Sequence, residues 1–200
     1  MKKTLALASL MIMMLFLAFS AYAEEVIVEK QIKVEEKLST QKMDELQDIK
    51  NPNAGFKIEL WTDRKDDTYK VGDEVVFYFR TNRDCYLTLL NVTTTGKVHI
   101  LFPNKYQKDN LVKAGKVYRF PPEDAKYVFR LTGPAGIELV KAIATIDEVT
   151  LVNESDMRPE GPIHAIEKPE SELAKDIKVM LKPIDIKRWA EAEKIIKVEK

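Results

Sequence analysis

The sequence predicts an all-β fold, an Ig-like antiparallel β-sandwich of about seven strands with an N-terminal arm and a C-terminal extension. The first observation is that residues 54–150 break into short runs rich in β-branched and aromatic residues. The second is that Gly, Pro, Asn and Asp separate these runs at intervals of about ten residues, as in the turns of antiparallel sheets. The third is a pair of apolar runs within residues 84–104 that predicts a hairpin.

This hairpin is predicted to form the centre of the core. Its two strands, 86–92 and 98–102, flank a turn at 94–97, where Gly96 can adopt the positive φ of a tight turn. Apolar residues occupy both parities of the first strand. We therefore expect a central strand that is covered on both sides.

The other strands of the sandwich are predicted from alternation of apolar and polar residues. In the first of them Phe56, Ile58 and Leu60 face one way, which indicates one solvated face. A long polar loop is expected at 103–115, directly after the central hairpin. The predicted strands are 56–61, 74–80, 117–120, 127–131 and 137–145.

The segment before the sandwich, residues 24–53, is charged and lacks aromatic side chains. Residues 43–49 carry apolar side chains at helical spacing, so we expect a charged arm that leads into a short helix. The alternation of apolar residues in 26–34 would equally suit an additional edge strand.

The segment after the sandwich, residues 151–200, is predicted to be a Pro-rich excursion and a C-terminal segment that packs back on the domain. Residues 170–182 are expected to form a short helix or strand before Pro183. Residues 189–199 are expected to form a last strand at a sheet edge.

Residues 1–23 have the pattern of a bacterial signal peptide. Lys2 and Lys3 precede an apolar run, and small residues lead up to a cleavage site after Ala23. The apolar run is shorter than the roughly 20 residues that a membrane span needs. We expect cleavage, no stable membrane anchor thereafter, and a periplasmic or secreted location.

Charge and cysteine content exclude one class of partner and one source of stability. The chain has 32 basic and 32 acidic residues, and loss of Lys2 and Lys3 with the leader would leave the mature protein slightly acidic. Nucleic acid is therefore not an expected partner. Cys85 is the only cysteine, which rules out an intramolecular disulfide, so stability must come from packing.

Residues 61–145 contain a series of short motifs in a characteristic order. They are Tyr69-Lys-Val-Gly-Asp73, Phe77-Tyr-Phe-Arg80, Arg83-Asp84, Tyr86-Leu87, Leu90-Asn91-Val92, Gly96-Lys97-Val98, Leu101-Phe-Pro-Asn104, Asn110, Ala114-Gly115 and Gly133-Pro-Ala-Gly136. In these motifs the segment resembles the DUF4384 domain family, an uncharacterised family of exported bacterial β-domains. The resemblance implies an envelope β-domain, often an accessory to another module such as a caspase-like peptidase, with no established activity and no known catalytic residues.

Binding residues are predicted in the polar loop, because a long loop on a rigid sandwich is a common contact surface. An aromatic face formed by Trp61 and several tyrosines is a second candidate. No catalytic motif, metal-ligand spacing or cofactor-binding motif stands out, so no catalytic residue, metal or cofactor is predicted. The candidate binding residues are Pro103, Asn104, Tyr106, Asp109, Asn110 and Trp61.

The expected function is a non-catalytic protein-interaction or assembly module of the bacterial cell envelope, with another envelope protein as its partner. The alternative is a β-sandwich domain that binds a small ligand or a glycan through its aromatic residues. An exposed strand edge would favour the first hypothesis, and a concave surface lined by Trp61 and tyrosines the second.

Overall fold

Thirteen β-strands and two α-helices occupy the described residues, 43–200, of this computed structural model. The predicted leader and the alternating segment at 26–34 lie outside these residues. The helices are α1 (Asp44–Gln47) and α2 (Glu170–Leu181). The strands are β1 (Ile58–Thr62), β2 (Thr68–Lys70), β3 (Glu74–Val75), β4 (Phe77–Thr81), β5 (Cys85–Val92), β6 (Val98–Phe102), β7 (Leu111–Val112), β8 (Val117–Phe120), β9 (Phe129–Arg130), β10 (Gly136–Thr145), β11 (Met157–Glu160), β12 (Ile163–Ile166) and β13 (Trp189–Glu199).

The large sheet is centred on the predicted hairpin. Its strand order is β11-β12-β6-β5-β10-β13-β2, and β7 also pairs with β5. All pairs are antiparallel except β13 with β2. The β5–β6 turn contains Gly96 at φ 77°, and the amide of Thr93 donates to the carbonyl of Lys97 at 2.9 Å. The prediction of the central hairpin is confirmed.

A three-stranded sheet, β1-β4-β8, packs on one face of the large sheet. Phe77, Phe79 and Phe120 of this small sheet are buried in one cluster with Leu89 and Phe102 of the central hairpin. The Phe79 and Phe102 rings lie 5.9 Å apart, and those of Phe102 and Phe120 lie 5.1 Å apart. Two sheets that bury an aromatic-rich layer between them form a β-sandwich, as the sequence predicts.

The other face of the large sheet is covered by the two helices. In α2, Leu173, Ala174, Ile177 and Leu181 recur at helical spacing and are buried in a second cluster with Leu90 of β5. Residues on both faces of β5 are therefore buried, which confirms that it is a central strand.

Residues after 150 contribute more to the sandwich than the sequence suggests. The last strand, β13, forms ten register pairs with β10 and lies between β10 and β2 rather than at a sheet edge. The segment between residue 150 and α2 supplies β11 and β12, and the expected loop 103–115 contains β7. These differences have one cause: the partners of each segment are remote in sequence, so no local pattern shows the pairing.

Candidate functional site

A groove of about 810 Å³ opens on the large sheet, on the face that carries the helices. Its floor includes Thr88 of β5 and Ile100 of β6, both buried residues of the central hairpin. Three segments form its walls: the loop 103–110, the connection 148–154, and the β11–β12 hairpin at 157–164. A cavity of this size lies in the range of ligand-binding sites in proteins.

The first wall is held in shape by Asn104, which is only 2% exposed. Its Nδ2 donates to the carbonyl of Leu101 at 3.0 Å and to the hydroxyl of Tyr127 at 3.2 Å. Its Oδ1 accepts from the amides of Tyr106 and Gln107, each at 3.0 Å. Because asparagine can bond to backbone groups in its own turn, this residue sets the path of the loop. Its side chain has a structural role here.

The end of the same wall is fixed to the central strand. Asn110 donates from Nδ2 to the carbonyl of Leu87 at 3.3 Å, and its own carbonyl accepts from the Leu87 amide at 3.0 Å. The carboxylate of Asp109 accepts from the amide of Leu111 at 2.9 Å, at the start of β7. These bonds orient the loop, and of the three residues 109–111 only Asn110 lines the groove.

The other two walls come mostly from the segment after residue 150, which the sequence predicted to be a Pro-rich excursion. Leu151 and Val152 are buried at 5% and 4% exposure and anchor the connection 148–154 in the helix-side core. The amide of Lys105 donates to the carbonyl of Pro162 at 3.2 Å and so joins the first wall to the β11–β12 turn. The apolar part of the groove is formed by Pro103, Ile100, Val149, Leu151, Val152, Met157, Pro159 and Ile163.

Charges of opposite sign line different walls of the groove. Lys105 and Lys108 belong to the first wall, and Glu148 and Glu154 belong to the connection 148–154. Among residues 43–200, none of these four side chains forms an ion pair. Their charges are therefore available to a bound molecule.

The structure brings together Pro103, Asn104 and Asn110 of the predicted site residues, and separates the others. Tyr106 is 66% exposed and stacks on Tyr127 at 5.5 Å, outside the groove lining. Trp61 lies on the small sheet and stacks on Tyr78 at 5.7 Å.

The expected broad aromatic face is not formed. Tyr69 is buried, and Tyr118 stacks on Phe79 of the core at 5.2 Å. Sequence reasoning also missed the walls beyond residue 147. The apolar pair Leu151-Val152 within a polar segment was the one local signal for them.

The reactive side chains do not converge on the groove. Cys85 is buried at the start of β5, and burial raises the pKa of its thiol to about 11, which disfavours the thiolate that a nucleophile requires. His164 lines the groove, whereas His99 is buried elsewhere in the sheet. Within residues 43–200 no group of three or more His, Cys, Asp and Glu side chains could hold a metal ion.

A buried polar cluster lies on the other face of the central hairpin. Asn91 donates from Nδ2 to Oε2 of Glu138 at 3.0 Å, and it is the register partner of His99. The Nε2 atom of His99 lies 3.6 Å from Oε1 of Glu160 and has no hydrogen-bond partner among the described residues. Burial lowers the pKa of His99, partly opposed by Glu160. Burial raises the pKa of Glu138, partly opposed by the hydrogen bond from Asn91.

These two groups should give opposite contributions to the pH dependence of stability. Below about pH 6.5 the unfolded chain protonates His99 more readily than the folded protein does, so this residue lowers the free energy of unfolding on acidification. Glu138 binds its proton more readily when folded, so it raises that free energy as the pH falls through its folded pKa.

We therefore expect His99→Gln to flatten the loss of stability on acidification and Glu138→Gln to steepen it. Glu138→Gln should also raise stability at neutral pH, because it removes a buried charge and keeps a partner for Asn91. Denaturant unfolding at a series of pH values measures both effects. Parallel profiles for the two variants and the parent protein would contradict the assignment.

The comparisons with known proteins agree with the resemblance seen in the sequence. Residues 68–148 match the model of a family described as a domain of unknown function, DUF4384. This range, about two fifths of the chain, runs from β2 to just beyond β10 and includes the central hairpin and the first wall of the groove. No curated protein and no solved structure matched the chain. No helix within residues 43–200 is long and apolar enough to cross a membrane.

Proposed function

We propose that this protein, in which residues 68–148 resemble the DUF4384 domain, is a non-catalytic interaction module of the bacterial cell envelope that holds a segment of a partner protein in its groove. The observation that supports this function most directly is the groove itself, which has an apolar part and, at its walls, charged side chains that form no ion pair among the described residues. The envelope location rests on the signal-peptide pattern of residues 1–23.

An extended peptide segment suits the groove better than a compact small molecule. The walls are separate surface segments on a rigid sheet, and such loops commonly present a contact surface. The apolar part of the groove would accept the apolar side chains of the segment, which accounts for affinity. Lys105 and Lys108 would pair with acidic residues of the segment, and Glu148 and Glu154 with basic ones, which accounts for register and orientation.

A peptide-display selection on the purified protein tests this proposal. We expect enrichment of peptides that carry an apolar centre between an acidic group and a basic group. The double variant Lys105→Glu, Lys108→Glu should bind these peptides about tenfold more weakly, because it replaces two attractive contacts with repulsive ones. Titration calorimetry with a selected peptide measures the change, and thermal melts should stay close to those of the parent protein, since both lysines are exposed.

The matched control is Lys175→Glu with Lys182→Glu, on and just after α2, which makes the same change in net charge with exposed lysines that do not line the groove. This control should keep the parent affinity. If both double variants lose affinity equally, the peptides respond to net charge alone. If the selection enriches no peptide, or peptides that the groove variant still binds, the proposed function is wrong.

A further inference from the structure

The outward face of the small sheet carries two cross-strand rows of side chains. Trp61 of β1 is the register partner of Tyr78 of β4, which in turn is the partner of Arg119 of β8. In the neighbouring row Glu59 lies opposite Arg80. Side chains alternate between the two faces of these strands. In β4 Phe77 and Phe79 point into the core, so Tyr78 and Arg80, and with them both rows, face away from the core.

The first row contains a flat aromatic surface. The indole of Trp61 and the phenol ring of Tyr78 are half-buried and nearly parallel, at 11° and 5.7 Å between centroids. Among the described residues, the indole N–H of Trp61 and the hydroxyl of Tyr78 form no hydrogen bond. Two ring surfaces with unused polar groups at their edges can hold an apolar surface that also carries hydroxyl groups.

Positive charge is in excess on this face. A depression of about 260 Å³ adjoins the second row, and Lys57, Glu59, Arg80 and Asn82 contribute to its lining. Glu59 is the one anionic side chain in this lining, and it is paired with Arg80 at 2.5 Å. Arg119 donates to the carbonyl of Pro121 and, within the described residues, forms no ion pair with a carboxylate.

These features fit a chain of acidic sugars. The carbon-bound hydrogens of a pyranose ring form an apolar face that packs on an aromatic ring, and its hydroxyl groups can bond to the indole N–H and the phenol hydroxyl. The carboxylates of successive sugars would meet Arg119 and the cations of the depression. Lys57 directly precedes β1 and lies four residues from Trp61, roughly 13 Å at about 3.3 Å per residue of extended chain, so a ligand must be extended to contact both.

We propose that the outward face of the small sheet is a second binding surface, specific for an acidic polysaccharide. The proposal does not depend on the groove, which lies on the large sheet. An acidic peptide is a poorer fit, because this face offers flat rings and a shallow charged depression and no apolar pocket for peptide side chains.

The test uses polygalacturonate and hyaluronate as anionic probes, with methyl-esterified polygalacturonate as the neutral counterpart of the first. Calorimetry should detect binding of at least one anionic probe, a decrease of its affinity with salt, and much weaker binding of the ester. Trp61→Ala and Arg119→Gln should each weaken binding about tenfold, equivalent to about 1.4 kcal/mol. Tyr106→Ala removes an exposed aromatic ring elsewhere and should leave the affinity unchanged.

Fluorescence gives a readout that does not depend on removing Trp61. The chain has two tryptophans, so in the variant Trp189→Phe the emission reports on Trp61 alone and should change on binding. Absence of binding by both anionic probes, equal binding of the ester, or unchanged Trp61 emission in the bound state would each overturn the proposal. So would polyglutamate binding as tightly as the sugars with no effect of Trp61→Ala.

Discussion

Replacing Lys141 with alanine is expected to lower the free energy of unfolding by about 3–5 kcal/mol, because it leaves the partly buried carboxylate of Glu191 without its cation. The Lys141 side chain in β10 is fully buried. Its Nζ lies 2.6 Å from Oε2 of Glu191 and 3.3 Å from Oε2 of Glu193, both in β13. Burial lowers the pKa of Lys141, and the hydrogen bond to Glu191 opposes this effect. Denaturant unfolding at neutral pH measures the loss.

The loss should be mainly electrostatic, and a paired replacement tests this. Glu193 retains Lys50 at 2.5 Å, so the group left without a cation is Glu191. Lys141→Met combined with Glu191→Leu should therefore recover most of the stability, since apolar residues often replace a buried ion pair at little cost. Lys197→Ala, in an exposed pair with Glu199 on the same strand, should have little effect. Equal losses for Lys141→Ala and Lys197→Ala would contradict the prediction.

Leu90→Ala is expected to lower the free energy of unfolding by about 2–5 kcal/mol, the usual cost of a buried large-to-small change. Leu90 is fully buried in β5 and packs in the helix-side cluster with Leu173 and Ile177 of α2. The β-sheet on one side and α2 on the other limit how far the cavity can collapse. Denaturant unfolding with an unchanged m-value would show that stability alone has changed.

The control for this prediction lies in the same hairpin. Lys97 is exposed in the β5–β6 turn, and Lys97→Ala should change the free energy of unfolding within about 0.5 kcal/mol. If the two substitutions cost the same, β5 does not have the central position that its burial indicates.

Features with a local physical cause could be predicted from the sequence. Gly96 can adopt a positive φ, so the turn of the central hairpin follows from residue type and position. Apolar residues at both odd and even positions predict that β5 is covered on both sides, and in the structure residues on both faces of β5 are buried. Asparagine readily bonds to the backbone of its own turn, and the four side-chain hydrogen bonds of Asn104 include two that its Oδ1 accepts from amides of that turn.

Features that depend on remote pairing could not be predicted in the same way. The strand 189–199 was expected from its composition, but its position beside β10 depends on ten register pairs between segments about fifty residues apart. The buried contacts of Lys141 follow from that register, because they place Glu191 and Glu193 beside it. A charged residue in a strand gives no local sign that it will be buried with partners.

The candidate sites show the same division. The sequence alone determined that the loop after Phe102 is polar, turn-forming and a candidate contact surface. Only the tertiary structure decided that residues 148–154 and 157–164 lie beside it to form a groove, and that Trp61 lies instead on the small sheet with Tyr78. Local conformation depends on neighbours in the chain, whereas a binding surface depends on which distant segments the burial of apolar surface brings together.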